Sequence, residues 1–192
     1  MPTANPAALD FLLTRRSRPA KTLTGPVPDR AELLTLLTAA ARTPDHGKLE
    51  PWRFIVLSGA ALPRLAALVT TRAAALDIDA DQIPKARAAF ADAQLVVAVI
   101  NAPVISAKVP DIEQTYSAGA VCLSLLNAAL AAGWGANWLS GWASHDRSFV
   151  ETGLGLAPHE SVAGFIHIGT ETAAPPERPR PEITAKTTWI DT

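Results

Sequence analysis

Residues 41–54 read "ARTPDHGKLEPWRF", and the way this stretch divides decides the fold. Pro44 and Gly47 cannot continue a helix, and Asp45 suits a turn. Immediately beyond, "WRFIVLSG" (52–59) is a short, apolar, β-branched run that ends at a glycine, which reads as a buried strand. The segment is therefore a helix stop, a turn carrying Arg42 and His46, and a strand start.

Reading upstream, "DRAELLTLLTAA" (29–40) gives the preceding helix, with Leu33, Leu34, Leu36, Leu37 and Ala40 at helical spacing and Asp29 and Glu32 as a capping box. A first helix begins at Asn5 as N-cap with Pro6 in its first turn. It carries Leu9, Leu12 and Leu13 and ends between Arg15 and Ser17, because Pro19 disfavours a helical residue before it.

Downstream, residues 61–76 return to helical spacing, with Pro63 in the tolerated first turn, and 77–93 read as a loop and short helix. "AQLVVAVIN" (93–101) is the clearest strand, and 101–114 reads as loop. Residues 116–132 form a helix apolar almost all round, which calls for burial within the domain or against a second subunit. Then come a strand in "GANWLSG" (135–141), a short helix at 146–152, a strand in "VAGFIHIG" (162–169), a proline-rich extended tail, and a candidate last strand "ITAKTTWI" (183–190). Strands are few and short against the helices, so the class is α+β, in one domain spanning 1–192.

Composition excludes several functions. The chain has 192 residues, a formal net charge of −1, and 48% hydrophobic against 18% charged residues. That is far from a disordered composition, and a near-neutral chain lacks the phosphate-neutralising charge that drives nucleic-acid binding. The lone Cys122 rules out an internal disulfide and reads as a small buried side chain. No signal-peptide stretch or membrane-length apolar run is present, so no membrane partner and a cytoplasmic location are expected. "DIDADQ" (77–82) starts like a calcium loop, but Gln82 and Ala88 stand where glycine and glutamate are required. No phosphate-binding glycine loop follows a strand, no nucleophile elbow surrounds Ser140, and the histidines at 46, 145, 159 and 167 show no metal-ligand spacing. No metal and no catalytic side chain are called, and His167 reads as structural. If the chain is an enzyme, an organic cofactor does its chemistry.

Against this neutral background, "RRSRPAK" (15–21) packs four cations into seven positions. It is a solvated helix-end patch, a nucleic-acid arm, or a cradle for one small anion. Three segments in order, "RRSRP", "ARTPDHGKLEPWRF" and "GWGANWLSG", favour the anion cradle. Together they resemble the nitroreductase family of FMN-dependent oxidoreductases, in particular its small, minimal members, over about Leu9 to Gly169. The resemblance implies a central, mainly antiparallel sheet flanked by helices, in an interlocked homodimer with FMN at the interface. Residues 173–192 would then cross to the partner.

The same resemblance implies site residues. Arg15, Arg16 and Ser17 would hold the FMN phosphate and ribityl chain, where forked guanidiniums and a hydroxyl suit a dianion. Arg42 and His46 would lie near the flavin, although His46 also reads as a plain turn residue. Trp138, Leu139 and Ser140 would run along the ring, although Trp138 reads equally well as core. Leu139 stands where some relatives carry a basic residue, and Pro19 stands where larger members carry lysine. Lys21, Arg178, Arg180 and Lys186 remain as candidates to complete the phosphate site. The implied activity is ping-pong reduction of a small-molecule electron acceptor, a nitroaromatic or quinone, by NAD(P)H. The alternatives are a flavin-binding protein that stores, senses or transfers FMN, and a binding module that uses the basic cluster.

Overall fold

A computed structural model describes residues 3–192. In chain order its elements are α1 (Pro6–Thr14), β1 (Leu23–Thr24), α2 (Arg30–Ala40), β2 (Trp52–Ser58), α3 (Ala61–Ala75), α4 (Ile83–Ala91), β3 (Leu95–Asn101), α5 (Asp111–Ala131), β4 (Gly135–Leu139), α6 (Trp142–His145), α7 (Arg147–Leu154) and β5 (Ser161–Glu171). Both expected caps are present: Asn5 accepts from the Ala8 N–H, and Asp29 and Glu32 form a reciprocal box. The sheet runs β1-β5-β3-β2 with β4 also paired to β5, and every pairing is antiparallel. That is the α+β sheet expected.

Every residue of β3 is buried, so its alternating side chains build two cores. Val96, Ala98 and Ile100 meet α3, α4 and α7 through Leu65, Val69, Phe90 and Phe149. On the other face Val97 and Val99, with Ile166 and Ile168 of β5, meet α2 and α5 through Leu36, Val121 and Leu125. Cys122 lies in this second core, where burial pushes its thiol up to about 12.

Several expectations are corrected. "ITAKTTWI" is no strand: Thr184–Lys186 form a single 3₁₀ turn, and the residues around it are exposed. A strand needs a neighbour, and the sheet offers this segment none. The stretch 111–114 is helical rather than loop. Pro110 precedes the first turn as N-cap, and Asp111 and Glu113 oppose the positive end of the helix dipole. Within one chain α5 leaves Ile112, Tyr116 and Leu123 exposed, so its own domain does not supply all of the cover expected for it. β2 is a half-buried edge strand, because only β3 pairs with it. Sequence reading missed α6 and the two-residue β1. Among the described residues, no helix is long and apolar enough to cross a membrane.

Candidate functional site

The basic segment begins where α1 stops. Arg15 turns extended, its N–H donating to the Phe11 carbonyl at 2.8 Å, and the loop then runs along β4. Two bonds fix it there: the Arg18 N–H donates to the Ala136 carbonyl at 2.8 Å, and the Asn137 side-chain amide donates to the Arg18 carbonyl at 2.7 Å. The Arg18 guanidinium pairs with Glu171 at 3.2 Å, so this cation belongs to the scaffold.

Arg15 is different. One terminal nitrogen donates to Ser17 Oγ at 3.2 Å, while its buried Nε has no partner. Burial lowers its pKa from the ordinary value, and Arg180 and then Arg16 add to the fall by repulsion. Arg16 donates to the Pro176 carbonyl of the tail, and Glu177 lies 3.9 Å from it and 2.9 Å from Arg180. Two guanidiniums, Arg16 and Arg180, thus share one largely exposed carboxylate, and both lie close enough to Arg15 to repel it. A buried donor without an acceptor costs about 1–3 kcal/mol, and a bound anion would remove that cost. This donor set, forked cations beside a hydroxyl, suits a phosphate monoester.

Strand β4 turns Trp138 and Leu139 to opposite faces, and Ser140 follows just past its end. Trp138 lies across Gly164, where an added Cβ would stand 2.1 Å from the indole Nε1. Leu139 and Ser140 instead border a cavity of about 450 Å³ between α4 and α6, with Phe90, Trp142, Phe165 and His167 in its wall. Trp142 Nε1 is buried there without a partner. His167 is buried, and that burial lowers its pKa to about 4. Lysine 85, on α4, also borders this cavity.

Arg42 and His46 stand on another support. The loop after α2 is fastened to α5 by a 2.8 Å hydrogen bond between Thr43 Oγ1 and Ser124 Oγ, and by Ser117 Oγ donating to the Pro44 carbonyl at 2.9 Å. Trp52 Nε1 donates to the same Ser117 hydroxyl at 3.2 Å. His46 Nδ1 is 2.6 Å from Glu113 Oε2, and the pair borders a groove of about 520 Å³ together with Asp45, Tyr116 and Ser117. Arg42 is exposed. Within one chain, then, Arg15–Ser17 and β4 come together, whereas the Arg42–His46 loop rests on α5.

Sequence reading missed Glu113, Tyr116 and Ser117. Glu113 and Ser117 are four residues apart in α5, and that spacing on a helix was the available signal. The contact of Arg16 with the tail joins residues 160 positions apart and left no local trace.

The sequence model of the Nitroreductase family matches residues 12–170. The chain belongs to this family. It is 36% identical over 163 residues to the "Putative NAD(P)H nitroreductase YdjA" of Escherichia coli (strain K12), a match covering 85% of this chain and 87% of that one. Its fold is also that of a nitroreductase-like family protein from Bacillus cereus, with a TM-score of 0.81, 24% identity and full coverage of both chains. A variant of the FMN and NADPH-dependent nitroreductase NfnB from Sphigopyxis sp. strain HMH superimposes with a TM-score of 0.75 at 18% identity, over 96% of this chain and 99% of that one.

Proposed function

We propose that the protein is an FMN-dependent oxidoreductase that uses NAD(P)H to reduce small electron acceptors such as nitroaromatics or quinones. The observation that carries this reading is the cluster of Arg15, Arg16 and Arg180, with Arg15 Nε buried and unpartnered beside Ser17. Arg15 and Arg16 hold the phosphate, Ser17 donates its hydroxyl, and Arg180 is the cation that completes the set. Arg18, tied to Glu171, is not part of it. Bonding of the loop to Ala136 and Asn137 sets the cradle beside the strand that carries Trp138 and Leu139 and leads into Ser140.

When bound, FMN supplies hydride and electron transfer, which no side chain of the protein can perform. The chain's own residues bind, orient and shield. Leu139 and Ser140, which border the same cavity, would shield a planar ring and offer polar groups at its edge, whereas Trp138 lies on the opposite face of β4 against Gly164. The nucleotide and the acceptor would take turns at one face, which makes the kinetics ping-pong. The Arg42–His46 loop, seated on α5, serves the site of the second subunit. The exposed apolar residues of α1 and α5 support a homodimer, and the part of the tail beyond Arg180 reaches across it.

The test is a visible spectrum of the purified protein, followed by addition of NADH or NADPH without oxygen. Flavin absorbance that bleaches on addition and returns with a quinone supports the reading. Bound flavin that neither nucleotide reduces points instead to flavin storage or transfer. A colourless protein that gains no colour with added FMN overturns both.

A further inference from the structure

The turn that carries His46 is held at a conformational cost. Gly47, Lys48 and Glu50 all have positive φ, at 76°, 54° and 49°, and two of the three have side chains that disfavour this region. Lys48 and Glu50 are strained there, and such residues persist where their surroundings over-determine them. The surroundings do so here. Asp45 Oδ2 accepts from the Glu50 N–H at 2.6 Å, and Thr43 and Pro44 are bonded to Ser124 and Ser117 of α5. The Trp52 indole closes the set on Ser117. The outcome of this fastening is one contact, His46 Nδ1 to Glu113 Oε2 at 2.6 Å, at the edge of the 520 Å³ groove.

We propose that Glu113 is a positioning residue for His46, and that His46 exchanges a proton at Nε2 with an oxygen of a ligand held in this groove. A carboxylate can only accept, so its bond to Nδ1 fixes the proton on that nitrogen and leaves Nε2 as the free ring atom. The balance is simple. When the ring carries both protons it gives the one on Nε2 to the ligand oxygen, an N–H bond breaks as an O–H bond forms, and the ring is left neutral with Nδ1–H still on Glu113. Water then returns the proton. That the ligand is the reduced acceptor rests on the proposed function; the assignment of the ring does not.

The test uses the purified protein labelled with ¹⁵N-histidine, with the His46 signal assigned by its loss in His46→Gln. In its neutral form the His46 ring should be the Nδ1–H tautomer, and Glu113→Ala should convert it to the ordinary Nε2–H form. A ring already in the Nε2–H form, or one unchanged by Glu113→Ala, overturns the proposal. In stopped flow, Glu113→Ala should slow the acceptor step at least about tenfold more than reduction by the nucleotide, and Glu113→Gln, which keeps an acceptor oxygen, should restore part of it. An equal slowing of both steps overturns proton delivery. The tautomer can be read in a colourless protein, so a failure of the flavin reading shows separately, in the absorbance.

Discussion

At the scale of single residues, the phosphate cradle makes the most direct prediction. Arg15→Ala with Ser17→Ala removes two donors to the anion but no core contact, since both side chains lie in a loop. The double variant should fold yet lose its yellow colour on desalting, with FMN affinity down roughly 100-fold for two charge-assisted bonds. Fluorescence titration with FMN measures this, and undiminished affinity refutes the cradle. His167 predicts a pH effect. The unfolded chain takes up a proton near the ordinary value of 6.5, whereas the folded chain resists until about 4. Stability from the neutral ring is therefore complete above 6.5 and drains away as the pH falls towards 4, by at most about 3 kcal/mol. Urea midpoints at pH 7 and pH 4.5 should differ accordingly, and His167→Leu should flatten the difference. Glu160 adds to the loss only at the acidic end of this window. Its bond to Arg53 holds its folded pKa at about 2, but the unfolded chain protonates it near 4.5, so its contribution is complete at pH 7 and starts to fall near pH 4.5.

At the scale of elements, β1 matters more than its two residues imply, because it follows the basic loop and ties it to the end of β5. Gly169 permits that contact: a Cβ there would stand 2.7 Å from the Thr24 carbonyl oxygen and 3.3 Å from Leu23 Cβ. Gly169→Ala should cost about 1–3 kcal/mol by forcing the strands apart, and FMN retention should fall with stability. A thermal melt and a flavin count on the same sample check both. Neither β1 nor this glycine was legible in the sequence, since two residues carry no periodicity. The long signals were legible: helices with caps at Asn5 and Asp29, and the β3 run "LVVAVIN", read correctly because local pattern and burial agree there. The tail "ITAKTTWI" misled for the opposite reason, as β-branched residues favour a strand only when an edge lies within reach. The site divided along the same line. Arg15–Ser17 and the His46 turn were visible as local motifs. The split of Trp138 from Leu139 follows from the strand pleat, and the seat of His46 on Glu113 is a contact across 67 positions.

At the scale of the molecule, one chain leaves much apolar surface bare. No residue of α1 is buried, Leu13 is 72% exposed, and Trp189 in the tail is 82% exposed. Surface of this kind marks an interface. Sedimentation should find a species of twice the 20.2 kDa chain mass, and a chain ending at residue 172 should shift towards the monomer and release its flavin. A full-length protein that sediments at the chain mass would refute the dimer. The depth of Cys122 has a separate use. The only thiol of the chain sits between α5 and the sheet, with its ionisation suppressed, so the thiolate that attacks alkylating reagents is not formed in the native state. Iodoacetamide can reach it only when that core opens. Its labelling rate in native buffer is thus a built-in clock for unlocking of the central helix, and one without added dyes or engineered cysteines.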